Sequence, residues 1–234
     1  MALHLPKYVW PLFMFINAFT IYINFTTIHE ASHKNISRQF PVLEYLMGSI
    51  SAFIMHGAYD MFIPIHLQHH NKVNVPDEDP DYHARGPALP WRFILWAASV
   101  SVYFKEYFRL GLYKGQSAIR CTLPFVLIGL CYVAAWKFHV LLDLLLLWTF
   151  PNFVGTLITI IVFDHLPHHP HIETEKYANT RVYPLGFGDW LFMMQSYHSM
   201  HHLWPSIPWY RYRECYAQRR TELIEAGTVE TKLF

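Results

Sequence analysis

The segment VLLDLLLLWTFPNFVGTLITIIVF, Val140–Phe163, decides the fold of this chain. It is longer than the roughly 20 apolar residues that cross the hydrocarbon core of a bilayer as a helix. A second apolar run, CTLPFVLIGLCYVAAW, precedes it at Cys121–Trp136, and only the tripeptide KFH separates the two. We therefore predict two antiparallel membrane spans joined by a tight turn, over about 119–136 and 140–163.

Three more apolar runs extend the membrane prediction. The run over about 8–28 predicts a third span, whereas 42–65 and 91–110 carry charged side chains and are expected to be interfacial or re-entrant. Histidine motifs flank 42–65, and one shared site would require both of its ends on the same side. Basic side chains just before the hairpin favour the cytoplasm for that side. They are Lys105, Arg109, Lys114 and Arg120.

The composition agrees with one all-α integral membrane domain over residues 1–234. The chain is 53% hydrophobic and only 15% charged, whereas about a quarter of residues are charged in soluble domains. Its net charge of +1 argues against a nucleic-acid partner. We expect about three or four spans plus interfacial helices. A multi-pass protein of a bacterial inner membrane is the expected localisation, with the site facing the cytoplasm.

Histidine is the unusual residue, with 16 copies in the chain, most of them clustered. The motif H-x-x-H-H occurs as HLQHH at His66–His70 and again as HSMHH at His198–His202. HEASH lies at His29–His33, and FDHLPHHPH at Phe163–His171. Spacings of three and four residues put imidazoles on one face of a helix. Each motif can therefore direct two or three ring nitrogens toward one point.

HEASH also matches the zinc-protease pattern H-E-x-x-H, in which two histidines bind zinc and the Glu is the general base. A zinc metalloprotease through His29, Glu30 and His33 is therefore one hypothesis. A catalytic zinc takes only three protein ligands and a water, which would leave HLQHH and HSMHH unused. Eight or more histidines suit two metal ions better. A non-catalytic membrane metal-binding or transport protein is a further hypothesis.

The three motifs resemble the histidine boxes of the membrane fatty acid desaturase/hydroxylase superfamily, and the resemblance covers nearly the whole chain. FDHLPHHPH and YHSMHHLWPSIPWYRY (Tyr197–Tyr212) are similar to segments of desaturase-type β-carotene hydroxylases. The unit Leu166–His168 also resembles carotenoid ketolases. The resemblance implies two iron ions at the cytoplasmic face and O2 as co-substrate. The implied metal ligands are His29, His33, His66, His69, His70, His168, His198, His201 and His202.

Carboxylates commonly accept the second N–H of a metal-bound histidine. The candidates for this role are Glu30, Asp60, Asp79, Asp81 and Asp164. The roles of His165 and His169 stay open, and His171 is expected at the surface. A structural role is expected for His4, His56, His83 and His139.

The resemblance implies O2-dependent hydroxylation of a carotenoid ring, like that of a β-carotene 3-hydroxylase. The alternatives within the superfamily are carotenoid ketolation and fatty-acyl desaturation or hydroxylation. The chain has no G-x-G-x-x-G motif, no flavin motif and no C-x-x-C-H haem attachment. Electrons are therefore expected from an external donor, such as ferredoxin and its reductase. The remaining partners are the lipid bilayer and an apolar lipid substrate.

Overall fold

The computed structural model describes residues 6–232, and nearly all of its regular structure is helical, which confirms the predicted all-α class. Two short strands, β1 (Arg181–Val182) and β2 (Val229–Glu230), pair in parallel. The helices are α1 (Trp10–Ser32), α2 (Pro41–Ile54), α3 (Tyr59–Asn71), α4 (Pro90–Ala97), α5 (Ser99–Arg109), α6 (Ala118–Lys137), α7 (Leu141–His168), α8 (Gly188–Leu191), α9 (His198–Leu203) and α10 (Tyr212–Glu225).

Three of these helices, α1, α6 and α7, are long and apolar enough to cross a membrane. They coincide with the three spans predicted from the sequence. Both α1 and α7 continue beyond their apolar runs, to Ser32 and His168. Each of them therefore carries a histidine motif on the last turn of the same helix that crosses the membrane.

Helices α2 and α3 form one pair, bent by 95° at the break between them. The first turn of α2 lies near the end of α1, since Glu44 accepts a hydrogen bond of 2.6 Å from the backbone N–H of Ser37. The last turns of α3 return to the same place, because Nε2 of His66 is 2.7 Å from Nε2 of His33. Both ends of the pair therefore lie near the C-terminal end of α1.

A helix that ends inside a bilayer leaves carbonyls without water, so protein groups must satisfy them. Here the Ile54 carbonyl accepts two hydrogen bonds of 2.7 Å, from the Trp148 indole and from the Asn152 amide of α7. The His56 ring stacks on Trp148 with the ring centroids 4.2 Å apart, and its Nε2 lies 2.9 Å from the Tyr132 hydroxyl. The turn between α2 and α3 is thus supported by α6 and α7.

Helices α4 and α5 occupy the second of the two runs predicted to be interfacial or re-entrant, 91–110. They have 8 and 11 residues, so at about 1.5 Å per residue neither is long enough to cross the membrane. Trp96 of α4 is fully buried beside Ile160 of α7 and donates to the His83 carbonyl. The pair therefore packs across α7 at the level of the histidine motifs.

Helix α7 contains two π-helical turns, Leu145–Thr149 and Ile160–His165. Between them, Gly155 faces α1 so closely that an added Cβ would lie 2.7 Å from the Ala18 carbonyl oxygen. This close approach brings the C-terminal ends of α1 and α7 together. The second π turn ends at His165, within one turn of His168.

The C-terminal part of the chain packs as α9, α10 and the two strands. Helix α10 buries Tyr212, Tyr216 and Leu223 on one side. Two hydrogen bonds join the α9–α10 connection to the segment after α1, from Asn35 to the Pro205 carbonyl and from Arg38 to the Ser206 carbonyl. This connection covers the end of α1.

Candidate metal centre

Nine histidine rings meet where α1, α3, α7 and α9 end. The rings of His29 and His201 have centroids 4.1 Å apart, and those of His69 and His168 are 4.8 Å apart. All nine histidines predicted as ligands contribute to this one cluster. Six of them are buried: His66 is 7% exposed, and the other five are at most 3% exposed. The motifs converge because the helices that carry them meet on the same side of the molecule.

The cluster contains two groups of four histidines. In each group, one ring nitrogen per residue lies within 4.8 Å of the others. His70 lies between the groups, with its Nε2 2.8 Å from that of His201 and 3.2 Å from that of His66. The α1 group is His29, His33, His66 and His201, and the α7 group is His69, His168, His198 and His202.

The ring nitrogens face in two directions. The Nε2 atoms point inward, with those of His198 and His202 3.0 Å apart. Outward, Nδ1 of His198 lies 2.6 Å from the Gln195 amide oxygen, and Nδ1 of His201 lies 3.0 Å from the Tyr212 hydroxyl. Metal-bound histidines have this arrangement, because the outer N–H fixes the tautomer and leaves the inner nitrogen free.

This arrangement fits a cation. An amide oxygen only accepts hydrogen bonds, so Nδ1 of His198 carries the hydrogen and its Nε2 presents a bare lone pair. Two nitrogens that bind one cation at about 2.1 Å and at a right angle lie about 3.0 Å apart, as the inner nitrogens here do. His29 and His168 are buried, and none of their ring nitrogens has a hydrogen-bond partner among the described residues. A bound cation would satisfy these nitrogens.

Burial favours the neutral form of several of these imidazoles. Burial and the nearby His29 lower the pKa of His33 to about 3. Burial among other imidazoles also lowers the pKa values of His198, His201 and His202. These four rings have the free lone pair that a metal ligand needs at neutral pH. At His69 the effect of burial is outweighed by Asp79 and Asp81, which raise its pKa to about 10, so a metal that binds there would displace a proton.

The predicted carboxylates lie around the cluster, with one exception. Asp79 is 2.8 Å from Nδ1 of His69, and Asp81 is 3.3 Å from the same atom. Glu30 lies 3.4 Å from Nδ1 of His29. Asp164 accepts a hydrogen bond of 3.4 Å from the Tyr103 hydroxyl. The exception is Asp60, which contacts no histidine of the cluster: it accepts from Tyr45 and pairs with Arg120.

Three residues around the cluster were not predicted from the sequence: Gln195, Tyr103 and Tyr212. Gln195 lies three residues before His198, so the spacing that revealed the histidine motifs could have revealed it too. The other two belong to α5 and α10, and only tertiary packing brings them to the site.

The remaining histidines lie outside the two groups. The expectation that His171 lies at the surface is wrong, since it is only 3% exposed. Its backbone adopts φ of 63°, and its N–H donates to the His168 carbonyl, so the chain folds back over the end of α7. His165 is buried with Nδ1 2.9 Å from the Ala84 carbonyl oxygen, and His169 is half-buried.

The histidines expected to be structural stay away from the cluster. His83 contacts the Pro80 carbonyl and the Ser99 hydroxyl, both at 3.0 Å. His56 supports the α2–α3 turn, and His139 is exposed in the turn between α6 and α7. His4 lies outside the described residues.

Two adjoining cavities lie beside the cluster. The smaller, of about 320 Å³, is lined by His29, His66, His69 and His198 together with Asp81 and Asp164. The larger, of about 680 Å³, is lined almost entirely by apolar side chains of α1, α2, α3, α5, α6 and α7. Four residues line both cavities, so the apolar space leads directly to the histidines. They are Phe25, Phe62, Ile65 and Tyr103.

Comparison with known proteins agrees with this geometry. The chain is 26% identical over 197 residues to a beta-carotene ketolase of Paracoccus sp. (strain PC1), covering 80% of this chain and 71% of the relative. A second beta-carotene ketolase, of Paracoccus sp. (strain N81106 / MBIC 01143), is 25% identical over 194 residues with the same coverage. Both relatives are described as ketolases, so the narrower likeness to hydroxylases stays a prediction.

The family comparison covers almost the whole chain. The model of the family described as fatty acid desaturase matches residues 7–233, from before α1 to beyond β2. The match includes all three histidine motifs and the helices that bring them together. This extent confirms the resemblance inferred from the motifs, and the chain belongs to the fatty acid desaturase family.

Proposed function

We propose that this chain uses O2 to hydroxylate a ring carbon of a carotenoid. The observation that carries the proposal is the apolar cavity that opens onto the histidine cluster. Its lining is almost entirely apolar, which suits an apolar, lipid-like ligand. The two carotene ketolases support a carotenoid over another lipid.

Two irons would be held by the two histidine groups, one by each, with His70 available to either. The α1 and α7 groups supply imidazoles at suitable spacing for this role. Iron bound there would supply the O2 activation that oxidation of an unactivated C–H bond needs. Electrons would come from an external donor such as ferredoxin and its reductase.

The side chains of the cavity would orient the substrate and exclude water. Phe25 and Phe62 stand between the apolar space and the histidines, with their rings edge to face at 5.6 Å. Phe104 of α5 is exposed and also lines the larger cavity, so a substrate could enter sideways from the bilayer. Asp81, Asp164 and Tyr103 place polar hydrogens and acceptors in the smaller cavity, beside the reacting carbon.

Ketolation of the ring is the second candidate, because both curated relatives are ketolases. A ketone at a methylene carbon requires that the same carbon be oxidised twice, whereas an alcohol requires one oxidation. Desaturation or hydroxylation of a fatty-acyl chain remains a third possibility within the family. The product therefore distinguishes these reactions.

The metalloprotease hypothesis is not supported by the environment of Glu30. Its carboxylate accepts hydrogen bonds from the Trp209 backbone N–H at 3.3 Å and from the Tyr212 hydroxyl at 3.4 Å. Both partners lie on the outer side of His29, away from the inward Nε2 atoms. A carboxylate engaged in this way is poorly placed to act as the base for a metal-bound water.

We also propose that residues 1–234 act as one domain in a bacterial inner membrane, with the histidine site at the cytoplasmic face. The ligand candidates run from His29 to His202, so no smaller part of the chain could form the site. Basic residues in α5, in the loop after it and in the first turn of α6 favour the cytoplasm for this side. They are Lys105, Arg109, Lys114 and Arg120.

Product analysis in a β-carotene-producing bacterium tests the proposed reaction. Expression of the chain should yield hydroxylated carotenoids, while the variant His202→Ala should yield none. Ketocarotenoids alone would assign ketolation instead. Changes confined to acyl chains would refute the carotenoid substrate, and one zinc per purified chain without iron would refute the oxygenase.

A further inference from the structure

The outer nitrogens of the two histidine groups are held by different parts of the chain. In the α7 group, Asp79 and Asp81 face His69, and Gln195 faces His198. Neither the two carboxylates nor the amide contacts a member of the α1 group. The outward contacts of the α1 group come instead from the buried pair Glu30 and Tyr212, which come from opposite ends of the chain.

Tyr212 is fully buried, and its hydroxyl has two neighbours. The oxygen lies 3.0 Å from Nδ1 of His201 and 3.4 Å from Oε1 of Glu30. A carboxylate only accepts hydrogen bonds, so the hydroxyl donates to Glu30 and accepts from the His201 ring. The result is a chain of two hydrogen bonds that leaves Nε2 of His201 without a hydrogen and directed inward.

Glu30 extends this contact to a second member of the α1 group. Its Oε1 also lies 3.4 Å from Nδ1 of His29, and its Oε2 accepts from the backbone N–H of Trp209. The carboxylate thus fixes the start of the α10 segment against the end of α1. One member of the α1 group, His201, is therefore hydrogen-bonded to the Glu30–Tyr212 pair, and a second, His29, lies beside it.

We propose that Tyr212 is a positioning residue for the α1 group alone, so that the two metal positions can be lost one at a time. The inference rests on the metal site of the proposed function. Without the hydroxyl, the outer N–H of His201 and the Glu30 carboxylate would both lose a buried partner, which is costly. The His201 ring would then no longer be held in its binding orientation, whereas the contacts of the α7 group would be unchanged.

The test is the variant Tyr212→Phe, purified and loaded with ⁵⁷Fe in competition with a chelator. Loss of such an outer partner commonly costs about 10- to 100-fold in metal affinity. We expect the affinity of one position to fall by this factor, so that one of the two iron components in the Mössbauer spectrum is lost at a chelator concentration at which the other remains. Gln195→Met should remove the opposite component, because it takes away the acceptor that holds His198.

Tyr216→Phe is the matched control. Tyr216 is a buried tyrosine one turn further along α10, and its hydroxyl donates to Glu230, away from the cluster. This variant should keep both iron components. If Tyr212→Phe does not accumulate as folded protein, Glu30→Gln replaces it, since it removes the charge from the same pair and should have the same selective effect.

Equal loss of both components in Tyr212→Phe, retention of both, or a single component in the unmodified chain would each overturn the inference. The measurement needs no carotenoid, so it is independent of the substrate assignment. A chain that binds two irons but produces no oxidised carotenoid would refute the proposed function and leave the inference intact.

Discussion

At the scale of single residues, Asp79 connects the cluster to the loop after α3. One carboxylate oxygen lies 2.8 Å from Nδ1 of His69, and the other accepts from the Asn74 backbone N–H. In Asp79→Asn the charged acceptor becomes a neutral amide, so we expect the affinity for the metal near His69 to fall about 10- to 100-fold. Chelator competition followed by iron analysis measures this change.

Asp77→Asn is the control for that prediction. Asp77 lies in the same loop, but its side chain is exposed and contacts no histidine of the cluster. It should bind iron like the unmodified chain. Equal losses in the two variants would show that loop charge in general, and not the His69 contact, controls binding.

Residues of the cluster differ in how far sequence alone could identify them. The histidine motifs were recognisable because spacings of three and four residues on a helix are local. Tyr212 contacts Glu30 only after the chain has folded, and no local spacing predicts a contact between residues that are 182 positions apart. The burial of His171 was not predicted for a related reason. This residue follows α7 with left-handed backbone angles, which turn the chain inward.

At the scale of elements, the contact between α1 and α7 depends on a glycine. A Cβ at position 155 would lie 2.7 Å from the Ala18 carbonyl oxygen and from Cγ2 of Ile21. Gly155→Ala should therefore force the helices apart and lower the free energy of unfolding by about 1–3 kcal/mol. Unfolding in detergent micelles, followed by circular dichroism, measures the loss.

Gly129→Ala in α6 is the matched substitution. A Cβ there meets no atom within 4 Å, so only the helix propensity changes. This variant should be more stable than the unmodified chain by about 0.5–1 kcal/mol. If both glycines tolerate alanine equally, the close approach of α1 and α7 is not required.

The turn between α2 and α3 makes a second prediction at this scale. The Ile54 carbonyl has two donors, Trp148 and Asn152, so either single substitution leaves it one partner. Trp148→Phe combined with Asn152→Leu should destabilise the protein by more than the sum of the single changes. The excess should be about 1–3 kcal/mol, the cost of a buried carbonyl without a partner. Additive losses in the double-mutant cycle would contradict this.

The sequence predicted which segments are helical but left the path of 42–65 open. Its charged and small residues suited either an interfacial or a re-entrant helix pair. The deciding contacts, between Ile54 and two side chains of α7, join positions about a hundred residues apart in the chain. Long-range contacts of this kind leave no local pattern.

At the scale of the whole molecule, a re-entrant path for α2 and α3 predicts which loops share a side of the membrane. Gln39 before α2 and Glu78 after α3 are exposed, as is Phe138 between α6 and α7. Single cysteines at the first two positions should react with an impermeant thiol reagent from the same side, and a cysteine at the third from the opposite side. The native cysteines, Cys121, Cys131 and Cys215, are replaced by serine beforehand.

Labelling of right-side-out and inverted bacterial vesicles makes this measurement. The positive-inside rule predicts that Gln39→Cys and Glu78→Cys react in inverted vesicles. Opposite labelling of these two positions would show that α2 and α3 together cross the membrane once.

The order of the nine histidines along the chain has a consequence for biosynthesis. The α1 group combines His29 with His201, and the α7 group combines His69 with His202. At a synthesis rate of about 5–20 residues per second, roughly seven seconds or more separate the first histidine of a group from its last. Neither group is complete until α9 has left the ribosome, after the chain of α1, α6 and α7. A metal bound by these groups would therefore be loaded only after those helices have been made, from the side of the membrane on which the C-terminal segment folds.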